Sequence, residues 1–148
     1  MRLPQDFREF LKLLNANSVE YLLIGGYAVN LHGYVRTTND LDIWVNVTLE
    51  NAGRIEKAVR EFGFANTALN RDLFLTERNI VRMGYPPLRI EITTSISGVN
   101  FEECYADSVR AELDGLSVPV ISLRRLRQNK AASGRLKDLA DLDNLPEE

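Results

Sequence analysis

Apolar residues along the chain fall into a short series of patterns. Phe7, Phe10, Leu11 and Leu14 recur at helical spacing, so the chain opens with an amphipathic helix. "VEYLLIGG" follows, a short apolar run closed by two glycines, which reads as a buried strand. "YAVNLHGY" has room for about two helical turns after those glycines. "DLDIWVNV" alternates strictly: Asp40, Asp42, Trp44 and Asn46 point one way, and Leu41, Ile43, Val45 and Val47 the other. Thr48 stands as N-cap to a helix striped by Ala52, Ile55, Val59 and Phe62 and ended by Gly63.

From Ala65 to Arg78 no period dominates. "NIVRMG" then reads as a strand, Pro86 and Pro87 as a turn, and "LRIEITT" as a second alternating strand with Arg89, Glu91 and Thr93 on one face. In "VRAELDGLSVPVIS" the pair Asp114-Gly115 predicts a tight hairpin. Ser122 caps a helix ending near Gly134, and a last helix covers roughly Leu136 to Leu145. This order predicts an α/β or α+β domain built on one sheet, spanning residues 1–148.

Two aspartates one residue apart in an apolar strand are expensive unless a cation neutralises them. Positions i and i+2 of a strand share a face, about 6.5–7 Å apart, so Asp40 and Asp42 are able to converge on one hard divalent cation. Glu91, flanked by Ile90 and Ile92, is the best third acid on a neighbouring strand. Paired metals are the usual device for in-line phosphoryl chemistry. An Asp-x-Asp alone is more often a strand entry and a solvated charge; the weight comes from its combination with Gly25-Gly26, from which thirteen residues separate it, and with a later acid. Bare backbone at a glycine turn before a helix suits phosphate oxygens.

Composition narrows the setting. The 148 residues are 45% apolar and 26% charged with a net charge of −3, so the molecule is no polycation, and anion binding must come from a local patch. A lone cysteine, Cys104, excludes an internal disulfide framework and suits a reducing compartment. Charges in "MRLPQDFREF" and the absence of a long apolar run point to a cytoplasmic protein with no membrane partner.

"IGG", thirteen residues and "DLDI" resemble the signature of the DNA-polymerase-beta-like nucleotidyltransferase superfamily. The fuller string "GGYAVNLHGYVRTTNDLDI", with "RIEITTSISGVNFEE" and "NKAASGRLKDLADLDNL", is similar to a small bacterial and archaeal branch that is itself similar to the abortive-infection toxin nucleotidyltransferases of toxin–antitoxin systems. The resemblance implies a nucleotidyltransferase fold: a mixed sheet with helices on one side, the acids on the open face, and C-terminal helices. It implies transfer of a nucleoside monophosphate from a nucleoside triphosphate to a hydroxyl acceptor (RNA, protein or a small molecule such as an antibiotic) with pyrophosphate leaving. Asp40 and Asp42 would hold Mg2+, with Mn2+ an alternative, and Glu91 would bind the catalytic metal and help deprotonate the acceptor. Two positions depart from the usual pattern: Gly26 stands where serine is common, and Glu91 where aspartate is.

Other residues are weighed against simpler roles. Arg36 is equally a triphosphate contact and a salt-bridging loop residue. His32 is better read as a packing histidine. In the acid-free stretch from Ser122 to Lys137, Lys130 is the favoured phosphate contact, with the other cations suited to an RNA acceptor. Asp138 and Asp141 read as charging the last helix, paired with Arg135 or Lys137. Tyr27, Tyr34 and Trp44 read first as core, with Trp44 the candidate base platform because it shares the face of Asp42. The alternative to an enzyme is an idle nucleotide-binding or antitoxin-like protein on the same fold. A partner protein or a homodimer would supply a missing wall of the acceptor site.

Overall fold

The computed structural model describes residues 2–63 and 69–147. Its elements are α1 (Gln5–Ala16), β1 (Tyr21–Ile24), α2 (Gly25–Leu31), β2 (Asp40–Val45), α3 (Leu49–Phe62), a 3-10 turn (Arg71–Phe74), β3 (Ile80–Tyr85), β4 (Leu88–Thr93), α4 (Phe101–Ala106), β5 (Val109–Leu113), β6 (Leu116–Val120), α5 (Leu123–Ser133) and α6 (Leu136–Asn144). Residues 65–68 of the stretch without a clear period lie outside the described residues; residues 71–74 form the 3-10 turn.

Local signals act as the sequence predicts. The Thr48 side chain accepts from the Asn51 amide, and Ser122 from that of Arg125. Gly63 and Gly134 close their helices in the left-handed region. Asp114 and Gly115, both with positive φ, turn β5 into β6. Short α4, capped by Asn100, is an addition to the predicted elements.

One mixed sheet runs in the order β3-β4-β2-β1-β6-β5. β2 pairs parallel with β4 and antiparallel with β1. Leu41, Ile43 and Val45 of β2, with Ile90 and Ile92 of β4, are buried on one face. Helices α1 and α3 cover it: Phe7 and Phe62 border the same cavity as Met83 and Ile90, and Phe10 meets Phe62 edge-on at 5.2 Å. Burying these side chains is the main driving force for the fold.

The second face is divided. At the Asp40 end it is open. At the other end α4 lies over Trp44, whose ring meets Phe101 edge-on at 5.2 Å. Packing on one side alone therefore holds for the acid end only, because the indole needs cover that a carboxylate does not. No helix of the described residues is long and apolar enough to cross a membrane.

Candidate active site

The site grows from strand register. Asp42 lies opposite Glu91 on parallel β4 and opposite Ile24 on antiparallel β1. Directly opposed residues share a face, so both carboxyls point to the open side, and the chain leaves Ile24 straight into Gly25 beside them. Gly25 has φ +68°, and a Cβ there would run into the Asp42 carboxylate, with its Cγ only 2.7 Å away. A Cβ on Gly26 would strike the Thr38 hydroxyl and lie 3.3 Å from Arg36 Nη1. The glycine pair is thus required by the close approach of the turn to the acids and to the loop that precedes them.

Electrostatics mark Asp42 out. Burial, followed by the charge and a shared hydrogen bond of Glu91 and the charge of Asp40, raises its carboxyl from 3.8 to about 7; Lys137 opposes this weakly. The other two acids are engaged by arginines. Arg82 Nε donates to Glu91 Oε1 at 2.9 Å, and Arg89 Nη2 lies 3.5 Å from Asp40 Oδ2. Among the described residues no three acids, histidines or cysteines are already gathered as a metal cage. The donor set nevertheless suits a hard divalent cation: oxygen ligands only, with mutual repulsion that a cation would relieve. Arg89 was findable, since period two puts it on the face of Glu91. Arg82 needed the β3–β4 register, which Pro86-Pro87 sets.

Lys130 lies elsewhere than expected. It is 5% exposed, and its Nζ donates to Asp138 Oδ1 at 2.8 Å and to Asp141 Oδ2 at 3.0 Å. Its ammonium is enclosed by carboxylates and is not on the open face. Asp138 also accepts from Arg135 and Ser133. Burial alone would raise its carboxyl, but the bonds from Lys130, Ser133 and Arg135 together hold it at about 2. Asp141 takes Arg36 through two bonds, Nε at 2.8 Å and Nη2 at 2.9 Å. Burial opposes its ionisation too, and the bonds from Arg36 and Lys130 prevail and lower it. Arg36 thus takes the salt-bridging role while remaining beside Gly26. The two aspartates tie α5, α6 and the loop before β2 together instead of simply charging α6; of the two expected partners, Arg135 pairs with Asp138 and Lys137 pairs with neither.

His32 Nε2 sits 2.7 Å from the Ile121 carbonyl oxygen, a satisfied packing histidine. Trp44 is 2% exposed and Tyr27 is buried, so neither offers a platform to a base.

Residues 6–145 match the aminoglycoside-2''-adenylyltransferase family. The chain belongs to this family. It is therefore a nucleotidyltransferase, and the superfamily resemblance of the glycine turn and Asp-x-Asp stands. No curated protein matches the chain. Among solved structures, a candidate nucleotidyltransferase of Thermotoga maritima is similar with a TM-score of 0.62 at 20% identity, over 93% of this chain and 88% of that one. The lincosamide antibiotic adenylyltransferase LnuA, bound to lincomycin, is similar with a TM-score of 0.55 at 17% identity, over 97% and 96%. At these identities both show a shared fold.

Proposed function

We propose that this family member transfers a nucleoside monophosphate, adenylate first among the candidates, from a nucleoside triphosphate to a hydroxyl of a small antibiotic-like acceptor. The observation that carries the reading is the in-register pair Asp42–Glu91 packed against Gly25, with Asp42 raised by its acidic neighbours. The family's description and the lincomycin-bound neighbour favour a small hydroxylated acceptor over RNA or protein.

Asp40, Asp42 and Glu91 would hold Mg2+ or Mn2+. Bound there, divalent cations neutralise triphosphate charge and stabilise the attacking and leaving oxygens of an in-line displacement. Gly25 and Gly26 let the phosphates approach bare backbone. Glu91, held through one oxygen by Arg82, accepts the acceptor's proton. The acceptor oxygen bonds to the α-phosphorus, the bond to the β-phosphate bridging oxygen breaks, and pyrophosphate leaves with that electron pair.

Incubation with ATP labelled at the α-phosphate, Mg2+ and a panel of aminoglycosides and lincosamides tests this, with total RNA and cell protein as parallel acceptors. Label on a small acceptor is expected; label on RNA or protein only would overturn the acceptor class. The pairing of Asp40 and Glu91 with Arg89 and Arg82 favours a second reading, an idle nucleotide-binding or antitoxin-like protein. Triphosphate binding with no transfer to any acceptor would select it.

A further inference from the structure

We propose that Lys137, reaching over from the first turn of α6, is the side chain that grips the polyphosphate of the nucleotide at the Asp42–Glu91 face; this rests on the nucleotidyltransferase reading above.

The other cations around the acids already have carboxylate partners. Arg82 is held by Glu91, Arg89 by Asp40, Arg36 by Asp141, and Lys130 by Asp138 and Asp141. Lys137 is exposed and makes no hydrogen bond or ion pair among the described residues. Its position on α6 explains how it overlooks the site. Asp141 follows it by four residues, so the two lie on the same side of the helix one turn apart. Asp141 grips the Arg36 guanidinium, which abuts Gly26, and the adjoining Gly25 packs on Asp42. That side of α6 is therefore turned toward the glycine turn and the acids. Consistently, the charge of Lys137 is felt at the Asp42 carboxyl, where it opposes the two neighbouring acids.

A triphosphate brought to three carboxylates needs compensating positive charge beyond any bound cation. An exposed lysine loses little hydration until it closes on a phosphate, and its flexible stem lets it follow the ligand. Its positive charge holds the departing pyrophosphate. Lys130 lacks this freedom, because moving its ammonium would take one charged partner from each of two buried carboxylates.

Calorimetric titration of wild type, Lys137→Gln and Lys137→Arg with ATP, ADP and AMP, each with Mg2+, tests the inference, alongside the melting temperature of each protein. Lys137→Gln should weaken ATP by about 10-fold, leave AMP unchanged and melt with wild type, while Lys137→Arg should keep most of the ATP affinity. An unchanged ratio of ATP to AMP affinity in Lys137→Gln would overturn the assignment of Lys137 alone. Wild type that fails to bind ATP with Mg2+ would overturn the nucleotidyltransferase reading and this inference with it.

Discussion

Gly25 lies so close to Asp42 that the space a Cβ would take is filled by the aspartate's carboxylate. The contact joins the end of β1 to the most perturbed acid of the site, and it sets a first prediction. Gly25→Ala must place a side chain both at φ +68° and against Asp42. The backbone strain alone is worth about 1–2 kcal/mol. A loss of that size or more in urea denaturation is expected, together with loss of transfer activity. A variant as stable as wild type would show that the turn can relax away from β2.

Asp42 gives a pH dependence of definite sign. Its folded-state carboxyl is raised from 3.8 to about 7, so the protonated form is the one the fold favours. That contribution is complete below the ordinary carboxylate value and is lost as pH rises through about 7. Asp42→Asn cannot ionise. In chelator it should be more stable than wild type at pH 8, by on the order of 2 kcal/mol, with little difference at pH 4. Denaturation of both proteins at the two pH values measures this. Destabilisation at both would make Asp42 a structural residue instead.

The buried ionic cluster predicts the opposite behaviour. Lys130→Met takes one charged partner from each of buried Asp138 and Asp141, and breaking such a pair costs about 3–5 kcal/mol. Asp138 is held at about 2, so its stabilising contribution is present above the ordinary carboxylate range and lost as pH falls through that value. Wild type and Lys130→Met should therefore differ most near neutrality and converge in strong acid, read by circular dichroism. A neutral-pH melting temperature equal to wild type would return Lys130 to the role of a free phosphate contact.

Much of the fold was legible because it rests on local chemistry. The Asp114-Gly115 turn, the Thr48 and Ser122 caps, and the alternation around Asp42 and Glu91 each depend on a few adjacent residues, and each stands in the structure. What the sequence left hidden depends on distant partners. Arg36 and Asp141 are 105 residues apart, and only the packing of α6 against the loop before β2 decides that they meet. Lys130 read as a surface cation because helix periodicity does not reveal two acids arriving from the next helix. Trp44 shares the face of Asp42, yet six-residue α4 is too short to announce itself by periodicity, so the cover over the indole could not be foreseen.

Trp44 is the only tryptophan in the chain and reports on that cover directly. With 2% of its surface exposed and Phe101 against its ring, it should emit at short wavelength and resist acrylamide quenching, with or without nucleotide. Strong quenching that nucleotide suppresses would instead make it a base platform.

In the proposed reaction Asp40, Asp42 and Glu91 hold divalent cations that carry a triphosphate. Binding of Mn2+, counted by paramagnetic resonance in the presence of a non-hydrolysable ATP analogue, checks this in wild type, Asp42→Asn and Glu91→Gln. Wild type should bind metal and analogue together and bind no analogue in chelator, while both variants lose the bound metal although they remain folded. Analogue binding that is equal in chelator and in Mn2+, or variants that keep the full metal count, would show that these acids do not hold the cations.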